Sequence, residues 1–281
     1  MGVVRTDKWL RAYTLKWNKA KTLQEQFDCQ RDVITWPLCE VFSTKDVAGL
    51  HQYLLQMGLF QPDQSIDLEY DRWKETLPWS IIQQQFHKLK EKWNGPDIKI
   101  YILPMNDQNT FLINELGGKT GLSLPHAIIL FIQSTITKED LLALITHEYH
   151  HVCRLQTIKQ PEDSMTLLES LVMEGLAEFA VREEIGSRAC ASWTYRYDDV
   201  WNGEWFERWI RPNLQIKGRK KHHPILYGSK EGGIPLWLGY YAGYKMVDTA
   251  TTKLDSTTNL LGLSAETIFE RSIFTEGEGR N

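Results

Sequence analysis

Three observations predict an α+β fold. Residues 1–94 repeat apolar side chains at helical spacing. After Asn94-Gly95-Pro96-Asp97 the period shortens to that of a strand. The middle of the chain then carries two long helical segments, the first holding His-Glu-x-x-His as His147, Glu148 and His151. The predicted architecture is a helical N-terminal region, a small and mostly antiparallel sheet, and helices that carry the chemistry.

In the N-terminal third, Trp9, Leu10, Tyr13, Trp17 and Ala20 fall at i, i+1, i+4, i+8 and i+11. Helical periodicity returns through 47–55 and 79–93. Trp73, Trp79 and Trp93 read as packing residues, because large aromatics dominate buried area. His51 and His87 read as ordinary helix side chains rather than ligands. Residues 94–97 form a turn signal, and 97–103 alternate as a strand does. Gly117-Gly118-Lys119-Thr120-Gly121 punctuates the chain, and a second strand is expected within 122–132, with Pro125 marking an edge or a break.

The helix predicted over 138–156 opens on Thr137-Lys138-Glu139-Asp140, a cap with acids in the first turn. His147 and His151 lie about 400° apart around its axis, so only ~40° from each other, and Glu148 about 100° to the side. Two imidazoles can therefore meet one metal ion, while the carboxylate reaches a water bound to it. Cys153, ~200° around from His151, should point away from that ion. A catalytic zinc site needs a third protein ligand and an open position. A second helix, about 164–185, is bracketed by Pro161, Asp163 and Gly186 and offers Glu169, Glu174 and Glu178. From His151 to the end of the first helix is about five residues, or ~7.5 Å, so an antiparallel return brings Glu169 level with the site. Gly175 and Ala177 would instead let the stretch beside Glu174 approach another backbone closely. Geometry leaves both acids open.

Composition narrows the classes. The 281 residues are 42% hydrophobic and 24% charged, with 32 basic against 36 acidic side chains and a net charge of −4. That is a globular chain with no basic block to bind nucleic acid; Lys217–His223 is a short solvated run. No apolar run approaches the ~20 residues of a membrane span, and no apolar signal core opens the chain. Cys29, Cys39, Cys153 and Cys190 are widely spaced, which indicates neither a disulfide framework nor a thiolate cluster and fits a reducing cytoplasm.

Glu174-Gly175-Leu176-Ala177-Glu178-Phe179 is similar to the Glu-Gly segment that follows His-Glu-x-x-His in gluzincin-type zinc peptidases. More narrowly, residues 147–155, 169–178 and 239–247 resemble the YjaZ-like family of predicted zinc-dependent proteases, over roughly 95–275 of the chain. The resemblance implies a zincin-like catalytic domain over 96–281 behind a helical region over 1–95. It implies Zn²⁺ held by His147, His151 and Glu174, with Glu148 as the catalytic carboxylate. Glu178 would then orient a ligand histidine from behind. The expected activity is hydrolysis of peptide bonds in a peptide or protein substrate by a zinc-bound water that Glu148 activates. The alternative is a non-catalytic zinc-binding regulatory or structural protein. Such peptidases hold an extended substrate on an edge strand, which is expected within 118–132.

Beyond Gly186, Trp193, Tyr195, Tyr197, Trp201, Trp205, Phe206 and Trp209 make an aromatic stretch that packs or lines a cleft, and Asp198-Asp199 reads as a cap or turn. Charge developing on the attacked carbonyl oxygen calls for a donor. Tyr241 and Tyr244 in the run Gly239–Tyr244 are preferred to His222 and His223. One amphipathic helix is expected over about 260–274, and a frayed end over Glu276 to Asn281.

Overall fold

Residues 1–94 are mainly helical, as expected: α1 (Thr6–Trp17), α2 (Leu23–Gln30), α3 (Val47–Met57), α4 (Asp67–Thr76) and α5 (Pro78–Trp93), of which α1, α3 and α5 cover the three runs of apolar spacing. A computed structural model describes residues 1–253 and 255–275; the end expected to fray, Glu276 to Asn281, lies outside them. The chain forms two compact units, Met1–Val152 and Cys153–Asn281.

In the first unit, local chemistry sets the helix ends. Thr22 and Glu25 make a reciprocal capping box on α2, and Asp46 accepts the Gly49 N–H on α3. Pro78 occupies the first turn of α5, where a missing N–H costs nothing. One face of α5 buries Ile82, Phe86, Leu89 and Trp93, and the helix stops at Asn94 with a left-handed backbone (φ 47°).

The sheet holds four strands in the order β1-β2-β4-β3: β1 (Gly2–Val3), β2 (Lys99–Pro104), β3 (Lys119–Leu124) and β4 (Ala127–Ile132). It is mixed rather than mostly antiparallel. β1 with β2 and β2 with β4 pair in parallel, and β3 with β4 antiparallel. The long connection between β2 and β4, which includes α6 (Thr110–Asn114), gives the chain the length a parallel return requires. The single strand expected within 122–132 is a hairpin. Leu124 pairs with Ala127, so Pro125 and His126 form a two-residue turn, and β3 reaches back through the run expected to be a break. β4 is buried on both faces, whereas β3 lies at the edge and is half-buried throughout.

Helix α7 (Lys138–Ile158) carries the His-Glu-x-x-His run and continues past Val152 into the second unit. Thr137 caps it by accepting the Asp140 N–H at 3.1 Å, and Lys119 of β3 pairs with the Asp140 carboxylate.

In the second unit α8 (Leu167–Glu184) is buried on every side from Leu167 to Val181, which marks a central helix rather than an amphipathic one. Around it come the short α9 (Gly203–Trp205), α10 (Arg219–Leu226), α11 (Leu238–Ala250), α12 (Thr257–Leu260) and α13 (Ala265–Arg271). The helix expected over about 260–274 is the shorter α13, which Ser264 starts by accepting the Thr267 N–H at 3.1 Å, while Leu260 ends α12. α11 crosses α8 at glycine. A Cβ on Gly175 would collide with the Gly243 carbonyl, and one on Gly243 with the Leu171 carbonyl. The fully buried Arg154 staples this unit. It donates to Glu169 Oε1 and Oε2 at 2.8 and 3.0 Å and to the carbonyls of Leu261 and Leu263. No helix among the described residues is long and apolar enough to cross a membrane.

Two predictions concern stability. Arg154→Met leaves Glu169 charged and buried without its partner, and should cost about 3–5 kcal/mol in urea unfolding. The double variant with Glu169→Leu should recover much of that loss. His51 is fully buried, with Nε2 2.7 Å from Gln30 Oε1, and burial pulls its pKa from 6.5 to about 4. The folded state thus binds fewer protons than the unfolded chain between those values. His51 should therefore cost nothing above pH 6.5 and destabilise progressively as pH falls toward about 4. His51→Gln should flatten that part of the wild-type stability profile.

Candidate metal centre

The off-site faces of α7 set the direction of its site face. Thr146 Oγ1 accepts from Gln85 Nε2 at 3.1 Å and donates to the Leu142 carbonyl. Tyr149 donates to the Pro96 carbonyl at 2.9 Å and stacks on Trp93, with Phe86 edge-on. His150 turns its ring edge-on to Trp93 in the same layer. With that face buried, His147 and His151 are left one turn apart on the other, ring centroids 4.5 Å apart and planes at 85°.

The ligand atoms of His147, His151 and Glu174 all lie within 4.8 Å of one another, a group that can hold a metal ion. Two imidazoles and one carboxylate are the donor set of catalytic zinc, and they leave coordination open. The set is poor in the hard oxygens that Ca²⁺ and Mg²⁺ require. The residues therefore fit the metal that the sequence implies.

The two acids left open by the sequence are separated here. Glu169 gives both carboxylate oxygens to Arg154, while Glu174 joins the histidines. Glu174 Oε1 also lies 3.9 Å from Arg219 Nη2, on a side chain 34% exposed. Arg219 is delivered by backbone pairing. Gly218 N–H donates to the Met165 carbonyl, Leu167 N–H to the Ile216 carbonyl, and Thr166 bridges Lys217. Glu178 accepts the Ala191 N–H at 2.8 Å.

Glu148 is 7% exposed and rests on β3. Ser123 Oγ lies 2.6 Å from its Oε2 and 2.8 Å from its main-chain carbonyl. Of the α11 tyrosines, Tyr241 donates to Asp198 at 3.1 Å, and its hydroxyl is pushed upward by burial and then by that carboxylate. Tyr244 accepts from Arg182 at 3.0 Å and is pushed up to about 12, mainly by burial. Tyr240 donates to Tyr227 at 2.8 Å; burial, reinforced by Glu174, holds its hydroxyl well above its ordinary value.

His222 is fully buried, with both ring nitrogens engaged. Nε2 donates to the Ile216 carbonyl and Nδ1 accepts from Ser170. That leaves no N–H for a substrate. His223 stacks on Tyr227.

Ser123, Gly121, Arg219, Tyr227 and Tyr240 are the neighbours that sequence reasoning passed over. Each meets its partner from 13 or more residues away, so no local spacing marks it. The exception is Tyr240, one position from a residue that was chosen.

A sequence profile of the family described as "Predicted Zn-dependent protease (DUF2268)" matches residues 78–270, from the first residue of α5 into α13. The chain is 34% identical over 272 residues to "Uncharacterized protein YjaZ" of Bacillus subtilis (strain 168), covering 96% of this chain and 99% of that protein. It is 29% identical over 115 residues to "Uncharacterized protein YjfC" of the same strain, 38% of each chain. No solved structure matches. The profile and the end-to-end likeness agree with the metal group, and the chain belongs to the YjaZ-like family of predicted zinc-dependent proteases.

Proposed function

We propose that the protein is a zinc-dependent metallopeptidase of the zincin type, acting on peptides or proteins in the cytoplasm. The observation that carries this reading is the gathering of His147, His151 and Glu174, with Glu148 beside the two histidines on one helix. The catalytic domain is proposed to span 96–281, behind a helical region over 1–95.

In this reading His147 and His151 present nitrogen to the ion and Glu174 presents oxygen. When bound, zinc supplies a Lewis acid that polarises the scissile carbonyl and lowers the pKa of water toward about 7. Glu148 accepts a proton from the attacking water as the new C–O bond forms. It returns that proton to the amide nitrogen as the C–N bond breaks, leaving a carboxylic acid and an amine. Donors for the negative charge on the carbonyl oxygen are proposed on α11, Tyr241 and Tyr244. β3, outermost in the sheet, offers main-chain groups to an extended substrate.

Purified wild type should carry about one zinc by plasma mass spectrometry, as such a site requires. His147→Ala and Glu174→Ala should lose it, whereas Glu169→Ala should keep it below its lowered melting temperature. Glu148→Gln should keep zinc yet cut hydrolysis of a quenched-fluorescence peptide library by roughly 10²–10⁴-fold. Folded wild type that takes up no zinc, or full turnover by Glu148→Gln, would overturn the assignment.

A further inference from the structure

β3 bears on Glu148 at two positions. A Cβ built on Gly121 would lie 2.5 Å from Glu148 Cγ and 2.6 Å from Oε1, and real Cβ contacts essentially never fall under 3.0 Å. The carboxylate thus occupies the volume that any other residue at 121 would fill. Two positions on, and so on the same face of the strand, Ser123 Oγ faces two acceptors on Glu148: Oε2 at 2.6 Å and the main-chain carbonyl at 2.8 Å. A serine hydroxyl carries one hydrogen, and the shorter, charge-assisted bond to Oε2 is the stronger use of it. Among the described residues no hydrogen bond reaches Oε1.

We propose that Ser123, together with the space left by Gly121, is a positioning device for Glu148. The hydroxyl ties down Oε2, the bare glycine backbone seats the carboxylate, and Oε1 remains as the oxygen that takes the proton. The inference rests on reading Glu148 as the base. It adds that the edge strand offered to the substrate also aims the catalytic side chain. Among the described residues the Ser123 hydroxyl hydrogen-bonds to Glu148 alone, so its effect is exerted through Glu148.

The test uses the full chain, loaded with zinc, as wild type, Ser123→Ala, Ser123→Thr and Gly121→Ala. The side-chain carboxyl ¹³C resonance of Glu148, assigned by its loss in Glu148→Gln, reads the contact without any turnover. It should move in Ser123→Ala and Gly121→Ala and hold its place in Ser123→Thr. On a peptide cleaved by wild type, Ser123→Ala should lower kcat roughly 10–100-fold, the usual cost of losing a supporting hydrogen bond behind a reactive group. KM and zinc content should stay unchanged, and Ser123→Thr should restore the rate. An unmoved resonance in Ser123→Ala overturns the inference, as does wild-type kcat in that variant or failure of the threonine to restore it. If wild type cleaves no peptide, the peptidase reading fails by itself, and the resonance alone decides whether Ser123 holds Glu148.

Discussion

Burial of carboxylates on α8 is the constraint on which the site depends. From Leu167 to Val181 the helix has no solvent face, yet it carries Glu169, Glu174 and Glu178. A charge taken out of water must be met by an opposite charge or by hydrogen bonds. The three acids find three different answers: a fully buried guanidinium for Glu169, the histidine group with Arg219 nearby for Glu174, and the Ala191 N–H for Glu178. Because Arg154 takes up both oxygens of Glu169, the acid that joins the histidine group is Glu174, further along the helix.

The same economy of partners organises the neighbourhood. His222, which the sequence offers as a donor, is absorbed into holding Ser170 and the Ile216 carbonyl. It thereby helps fix the segment that brings Arg219 to Glu174. Tyr149 and Thr146 face away from the histidines and tie α7 to Pro96 and Gln85. Residues with no chemistry of their own thus set the direction in which the ligand side chains project.

What the sequence made legible was periodic or local. The His-Glu-x-x-His helix, the bracketed helix after it and the N-terminal helices all rest on i, i+4 spacing and on caps, and these survive in the fold. The close approach beside Glu174 was also readable, from Gly175. The strands were less so. Gly121 looks like punctuation because nothing local reveals the carboxylate that needs its empty face, and strand direction depends on partners remote in sequence. Pro125 was ambiguous between a break and an edge, and the pairing of Leu124 with Ala127 puts it in a turn. The tail helix is shorter than its apolar spacing suggests, because the Ser264 cap sets where it starts. Choosing between Glu169 and Glu174 required a contact with Arg154 that helical bookkeeping does not contain.

The glycine crossing of α8 and α11 has a mechanical consequence. Where Gly175 meets the Gly243 carbonyl and Gly243 meets that of Leu171, the helices approach backbone to backbone, with the Val247 side chain beside the crossing. Closely packed helices ordinarily shear by small rotamer adjustments at their interface; at the two glycines it is main chain that meets main chain. Sliding or rolling α11 would drive main chain into main chain. The tyrosines of α11 are therefore held in register with Glu174, because the crossing resists rolling of one helix over the other.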